Sequence, residues 1–569
     1  MHRIIPPALL ALALSLAACR HENAAPGAAD AAPPAAPRPA PVTPTADNHW
    51  SAEITAEDFA ARVRKLASDE LEGRSPGGLG GRLAVDYIKD QFERIGLKPG
   101  YKGSWFQNVP MVTTTLQQPE QIALSVAEGG GEERFVYGKD LIVGNLDNRE
   151  SASIADSPIV FLGYGVDAPE YQWNDYADID VKGKTVVVLV NDPGWGNQDP
   201  SLFKGKAMTY FGRWTYKFEE AARKGAAACL IVHDTAAASY PWEVVVNSWS
   251  GPQFSLPARD DPDPRLGVAG WITTDAARRL FAKAGQDFDA LKKSADLRGF
   301  KPVALDAKAS LAIKSAIQVS SATNVIGVLP GSERAGEAVV YTAHWDHLGK
   351  SFSGADRIFN GAVDNASGVA GLLEIAEAFA HQQPPPKRSV LFAAVTLEEF
   401  GLLGSRWYAT HPSFPLDKTV ADINMDALPI IGPTKDIAVI GWGQSDLDDY
   451  VKDAAAAEGR TVVPDETPET GFFFRSDQLN FARLGVPVLY ARAGFDLVDG
   501  GEDAGRKAWA DYMTNRYHKP SDEYDPNWDL RGVVDDLKAF YAVGRRLADE
   551  DTFPQWKPGA DFRRPAAAK

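Results

Sequence analysis

AVVYTA (338–343), GVAGLLEIAEAFAHQ (368–382) and SVLFAAVT (389–396) follow one another in the chain. The first and third runs are short, continuously apolar and rich in β-branched and aromatic residues. Such runs suit strands covered on both faces, where no side is left for water. The middle run is long and rich in Ala and Leu, as a buried helix requires. A strand, a helix and a second strand of this kind form one parallel crossover unit. The pattern continues downstream with TVADINM (419–425), IAVIG (437–441) and VPVLYA (486–491). The expected fold class is therefore α/β, a mostly parallel twisted sheet with helices on both faces.

In open α/β sheets, ligands bind beyond the carboxyl ends of the strands. Here those ends carry chemistry. AVVYTA runs into His344, Trp345, Asp346 and His347. The helix opens on Gly361-Ala362-Val363-Asp364-Asn365, SVLFAAVT leads to Glu398 and Glu399, and TVADINM leads to Asp426. A further histidine, His518, lies in NRYHKPSDE (515–523). Singly these are ordinary features: a histidine at a strand end is commonly an edge residue, and an aspartate before a helix is commonly an N-cap. Glu398-Glu399 is different, because an apolar strand precedes it and Phe400-Gly401-Leu402-Leu403-Gly404 follows. Two adjacent carboxylates under apolar cover repel unless a cation or a proton intervenes.

The ordered set His344-x-Asp346, Asp364-Asn365, Glu398-Glu399, Asn424-Met425-Asp426 and Tyr517-His518 resembles the co-catalytic di-zinc aminopeptidases. These belong to the superfamily that also holds glutamate carboxypeptidase and the transferrin receptor, and the resemblance spans roughly residues 50–550. LASDELEGRSPGG and RYHKPSDEYDP resemble the same subgroup. The resemblance implies a zinc exopeptidase fold and two Zn²⁺ ions. It implies that Asp364 bridges both ions, that His344 and Asp426 complete one, and that Glu399 and His518 complete the other. It implies Asp346 behind the His344 ring, a cis peptide at Asp364-Asn365, and Glu398 as the general base. Zinc accepts imidazole and carboxylate ligands and lowers the pKa of bound water toward neutrality. The implied activity is a metallo-aminopeptidase, removing N-terminal residues from peptides with a free amino terminus through a di-zinc-activated hydroxide. His347 receives no role as a ligand.

The sequence departs from its relatives in places. Several read Ser-Asp-His where this chain reads Ser476-Asp477-Gln478, and glutamine cannot titrate. FFFRSDQLNF (472–481) suits a specificity wall and an aromatic core equally. Three alternatives share the scaffold. A carboxypeptidase needs arginines such as Arg475 or Arg492 on a substrate carboxylate. A glutaminyl cyclase uses one zinc, and a receptor-like member has lost its ligands. A two-metal phosphatase lacks support, since no basic cluster adjoins the ligand positions.

Upstream, TAEDFAARVRKLAS (55–68) and LAVDYIKDQFERIGL (83–97) read as amphipathic helices flanking a glycine-rich turn, EGRSPGGLGGR (72–82). No strand precedes that turn and Walker lysine spacing is absent, so it is not a nucleotide loop. Residues 135–300 change character, with SPIVFLGYGV, KTVVVLVND and AARKGAAACLIVHD. This block resembles a protease-associated (PA) domain inserted in the catalytic domain. Its aromatics Tyr171, Trp173, Trp195 and Trp214 read as packing, and Cys229 as a buried thiol.

The expected organisation is a signal peptide (1–18), a lipidated Ala/Pro-rich tether (19–48), the first part of the catalytic domain (49–134), the insert (135–300), the catalytic domain with the metal ligands (301–550) and a flexible tail (551–569). The apolar run Ala8–Leu16 is too short to span a bilayer. Leu16-Ala17-Ala18-Cys19 resembles a bacterial lipobox, which implies export and membrane attachment through acyl chains on Cys19. Arg20, in place of a retention aspartate, points to the outer membrane, with the enzyme facing the periplasm or the cell exterior. Ten Ala and seven Pro among residues 20–48 cannot bury a core.

The 569 residues suffice for three or four domains. Hydrophobic residues at 44% and charged residues at 24% describe a globular chain. An excess of 76 acidic over 59 basic residues, net −17, argues against nucleic acid as a partner. Two cysteines exclude a disulfide scaffold and an all-cysteine zinc site.

Overall fold

The long strand Val303–Leu329 runs through two sheets and joins them. The structure is a computed structural model and describes residues 50–564 apart from 129–130, 262 and 352–353. The expected signal peptide, Cys19 and expected tether lie outside the described residues, as does the end of the expected tail.

The second half of the long strand belongs to the sheet that holds the predicted parallel strands. Four parallel strands form its centre, in the order Arg388–Val395, Arg334–His344, Thr419–Asn424 and Val488–Ala493. Antiparallel strands flank them: the long strand and then Phe106–Leu116 on one side, Asp436–Ile440 on the other, with Thr461–Pro464 parallel beyond it. The sheet is thus parallel at its centre and mixed at its margins.

The apolar runs are continuous because each central strand serves two cores. Val339 and Tyr341 pack with the helices Ala56–Leu66, Leu79–Ile95, Gly368–His381 and Arg531–Asp549, whereas Val340 faces the core of Gln478–Arg483 and Gly501–Asn515. Val390, Phe392 and Ala394 alternate with Leu391, Ala393 and Val395 in the same way. Alternation of side chains across a strand makes this unavoidable once both faces are covered.

The first helix starts where Thr55 Oγ1 accepts the Asp58 N–H at 3.2 Å. The second starts at Leu79, inside the stretch read as a turn. Gly80 is helical and lies against the preceding chain, where a Cβ would come within 1.7 Å of the Leu71 carbonyl oxygen. The glycines there permit a close backbone crossing.

The insert has its own sheet, in the order Gly131–Val136, Ala123–Glu128, the first half of the long strand, Ser151–Phe161, Thr185–Leu189, Ala228–His233, Val268–Thr273 and Leu141–Gly144. Pairing extends past the 135–300 block at both ends, from Ala123 to Lys314. Cys229 is fully buried and unpaired, in the apolar cluster with Val186, Ile231 and Trp271. Tyr171 stacks on Phe203 at 4.4 Å and Trp173 is buried beside them, as packing residues. Arg406 of the catalytic domain reaches Asp261 and Asp263 of the insert at 2.7 and 2.8 Å.

Residues 551–564 correct an expectation. They are not a loose tail but lie along the catalytic domain. Trp556 Nε1 donates to the Gly485 carbonyl, Phe562 stacks on Phe473, and Arg564 donates to the carbonyls of Leu416, Thr419 and Val420. The low complexity of RRPAAAK hid the anchoring role of Arg564. No helix among the described residues is long and apolar enough to cross a membrane.

Candidate metal centre and active site

Three parallel strands end at one place. His344 closes the first, Glu398 and Glu399 follow Arg388–Val395 by a few residues, and Asp426 follows Thr419–Asn424. Asp364 enters from the loop before the helix Gly368–His381, and His518 from the loop after Gly501–Asn515. The Asp364-Asn365 peptide is cis.

Asp364 divides the site in two. Its Oδ1 lies 3.3 Å from His344 Nε2, and that nitrogen lies 3.1 Å from Asp426 Oδ1. Its Oδ2 lies 3.2 Å from His518 Nε2, and that nitrogen lies 3.1 Å from Glu399 Oε2. Ligands at ~2.0–2.1 Å from a tetrahedral zinc are separated from one another by about 3.3 Å. The histidine-to-carboxylate distances of both triads match that spacing, and all five side chains are mostly or wholly buried. A second observation supports the fit: His344, Asp364 and Asp426 converge with all ligand atoms within 4.8 Å of one another. The residues present therefore suit divalent metal binding around Asp364.

The electrostatics point the same way. Burial opposes a charge on His344, yet the carboxylates of Glu398 and Asp426 push its pKa well above the usual value. Burial also opposes a charge on His518, yet Glu399 and Asp364 push it up to about 10. Burial would raise Asp364, but hydrogen bonds from His344 and His518 hold it well below the carboxylate range. So many buried carboxylates around two histidines require positive charge nearby.

Glu398 differs from its neighbour. It lines the pocket, 3.8 Å from His344 Nε2, and burial pushes its pKa well above the usual range. Glu399 is turned inward between His518 and His347, whose Nδ1 is 2.5 Å from Glu399 Oε1. Sequence reasoning gave His347 no part, and the structure places it as the support of Glu399. Asp346 is fully buried but its carboxylate stands 3.9 Å from His344 Nδ1, beyond a hydrogen bond. The Asp346 carbonyl accepts from that nitrogen at 3.2 Å, while Asp346 Oδ1 accepts the Glu398 N–H at 3.2 Å. Asp346 thus contacts both His344 and the Glu398 backbone.

Two further residues fix the loops. Arg74 is buried and donates to the carbonyls of Trp345, Leu66, Asn360 and Gly361 at 2.5–2.9 Å. One guanidinium so ties the His344 loop to the Asp364 loop. Asp522 accepts the N–H groups of Val363 and Asp364 at 3.1–3.2 Å. Both stand in motifs visible in the sequence, EGRSPGG and RYHKPSDE, but their contacts are long-range and sequence spacing cannot show them.

A cavity of about 170 Å³ opens on Glu398, Glu399, Asp364, Asp426 and His518. The insert provides one wall with Arg213, Trp214, Tyr240 and Phe254, and the catalytic domain another with Phe472, Arg475 and Tyr490. Trp214 is therefore a pocket residue, contrary to its reading as packing alone. FFFRSDQLNF splits: Phe472 and Arg475 face the pocket, whereas Phe473 and Phe474 are core. Gln478 accepts from Asn424 Nδ2 and donates to the Phe473 carbonyl, a bracing role that needs no titration. Arg492 is stacked between Phe472 and Trp509 and does not line the cavity.

Residues 324–542 match Peptidase family M28. Over 136 residues the chain is 30% identical to Aminopeptidase NAALADL1 of Mus musculus, and over 104 residues 36% identical to a probable zinc metalloprotease of Pyrenophora teres f. teres (strain 0-1). The matches take in 22% and 18% of this chain, and only 17% and 22% of those proteins. The fold resembles that of the aminopeptidase from Aneurinibacillus sp. strain AM-1, at 17% identity and TM-score 0.52, covering 90% of this chain and 98% of that one.

Proposed function

We propose, from the match of residues 324–542 to Peptidase family M28 and the divided carboxylate of Asp364, that the chain is a zinc-dependent exopeptidase that removes N-terminal residues from peptides. The observation that carries this reading is the pair of triads sharing Asp364. His344 and Asp426 would hold one Zn²⁺ with Asp364, and Glu399 and His518 the other. When bound, the ions would supply Lewis acidity, making water acidic near neutrality and polarising a scissile carbonyl.

Glu398 is free of both triads and faces the cavity. Its raised proton affinity suits a general base that takes a proton from water and returns it to the leaving amine. Asp346 fixes Glu398 through its backbone N–H, and His347 holds the second oxygen of Glu399. The remaining carboxylate edge can receive a free amino terminus.

One observation favours a second reading, a carboxypeptidase. Arg213 lines the cavity, and its guanidinium has no hydrogen bond or ion pair among the described residues. A substrate carboxylate would satisfy it. The deciding experiment is a panel of aminoacyl-anilides, N-blocked peptides and C-terminally amidated peptides, with and without chelator. The aminopeptidase reading expects chelator-sensitive cleavage of free-amine substrates, amidated ones included. Cleavage of N-blocked peptides alone would establish the carboxypeptidase.

We read the amino-terminal segment as a lipoprotein signal that exports the chain and attaches it to a membrane at Cys19. Labelling by a fatty-acid probe, lost in Cys19→Ser, is the expected result.

A further inference from the structure

His518 reaches the metal centre from a loop, without a strand behind it. Its backbone has φ 54°, the left-handed region, which a residue with a side chain keeps only when its surroundings hold it. The surroundings come from the insert. On the helix Trp242–Trp249, Asn247 Nδ2 donates to the His518 carbonyl at 2.9 Å, and Ser248 Oγ lies 2.9 Å from His518 Nδ1. Gln253 Nε2 donates to the Ser248 carbonyl at 3.0 Å and steadies the helix end.

The two nitrogens of the ring have separate tasks. Nε2 faces Asp364 and Glu399, so as a ligand it must carry the lone pair. The proton then resides on Nδ1, where Ser248 Oγ accepts it. A histidine ligand ordinarily donates its other N–H to a fixed acceptor, which sets the tautomer and the ring direction. His344 uses a carbonyl of its own loop, at Asp346. His518 depends instead on a side chain from another sheet system of the molecule.

We propose that Ser248 is a positioning residue for the His518 half of the metal centre, so that the insert completes that half and does more than wall the cavity. This rests on the two-metal reading above. Docking of the helix Trp242–Trp249 then sets metal affinity at His518, while the His344 half stays independent of the insert.

The test uses the full chain, stripped of metal and titrated with Zn²⁺ against a chromophoric chelator. Ser248→Ala is expected to weaken one of two zinc equivalents by 10–100-fold, on the order usual for loss of a ligand's hydrogen-bond partner, and to leave the other unchanged. His518→Ala identifies which equivalent belongs to this half. Ser248→Thr should retain parental affinity and Ser248→Val, of the same shape, should behave as Ser248→Ala, with near-ultraviolet circular dichroism reporting an intact fold. Parental binding of both equivalents by Ser248→Ala or Ser248→Val, while His518→Ala loses one, would overturn the positioning role and leave the metal reading standing. Equal loss in Ser248→Thr and Ser248→Val would also overturn it, since shape and not the hydroxyl would then matter. Parental binding by His518→Ala would overturn the two-metal reading itself.

Discussion

Asp364 sits on no strand, yet every distance that defines the candidate centre is measured from it or from a partner of it. Its geometry is upheld by residues that touch no substrate. Gly361, at φ 57°, lets the loop turn where a Cβ would meet the Asp364 carbonyl at 2.2 Å and the His347 ring at 2.6 Å. Gly361→Ala is thus expected to lose zinc as well as activity, read by metal analysis of the purified protein. Arg74→Met would leave the buried carbonyls of Leu66, Trp345 and Asn360 without their donor, while Gly361 keeps the Ala366 N–H. At ~1–3 kcal/mol for each unsatisfied group, partly relieved by water, a loss of at least ~3 kcal/mol is expected in urea unfolding. Glu398→Ala tests the opposite kind of residue: zinc should remain bound while kcat falls by ~10²–10⁴-fold. Full activity in that variant would refute its role as base. The candidate metal-binding side chains were legible because metal chemistry favours His, Asp and Glu and because their order resembles a family pattern. Arg74, Asp522, His347 and Ser248 were not, since their meaning lies in partners tens to hundreds of residues away.

Elements were legible where periodicity is strong. The central parallel strands and the helix Gly368–His381 stand where alternating burial against two cores demanded apolar runs. The margins were harder. Val303–Leu329 contains KASLAIKSAIQVSSATN, whose polar residues alternate with apolar ones and give no sign that one strand serves two sheets. The segment 551–564 misled for a related reason: its sparse apolar residues, Trp556 and Phe562, act singly as anchors. Truncation after Asp551 removes those anchors and the three carbonyl contacts of Arg564. A destabilisation of at least ~2 kcal/mol is expected from the aromatic burial alone, seen as a lower Tm. An unchanged Tm would return this segment to the status of a loose tail.

At the scale of the whole molecule, the acid excess says little about mechanism, whereas buried charge says more. Lys217 of the insert is fully buried, its Nζ has no hydrogen-bond partner, and burial holds its pKa well below the usual lysine value despite Asp192 and Asp175 nearby. The unfolded chain then binds the extra proton between the lowered value and the ordinary one near ~10.4. Stability from this group rises with pH across that window. The stability advantage of Lys217→Met over the parent should accordingly be largest at neutrality and shrink as pH approaches 10, measured by urea unfolding at each pH. An advantage that grows with pH would contradict the buried amine.

The proposed two-metal centre would join strands, loops and insert into one device, and adding zinc back to the metal-stripped chain tests it most directly. Hydrolysis of an aminoacyl-anilide should be absent in the stripped protein and rise until two Zn²⁺ per chain have been added. Full hydrolysis without metal, or a plateau at one ion per chain, would contradict a centre divided by Asp364.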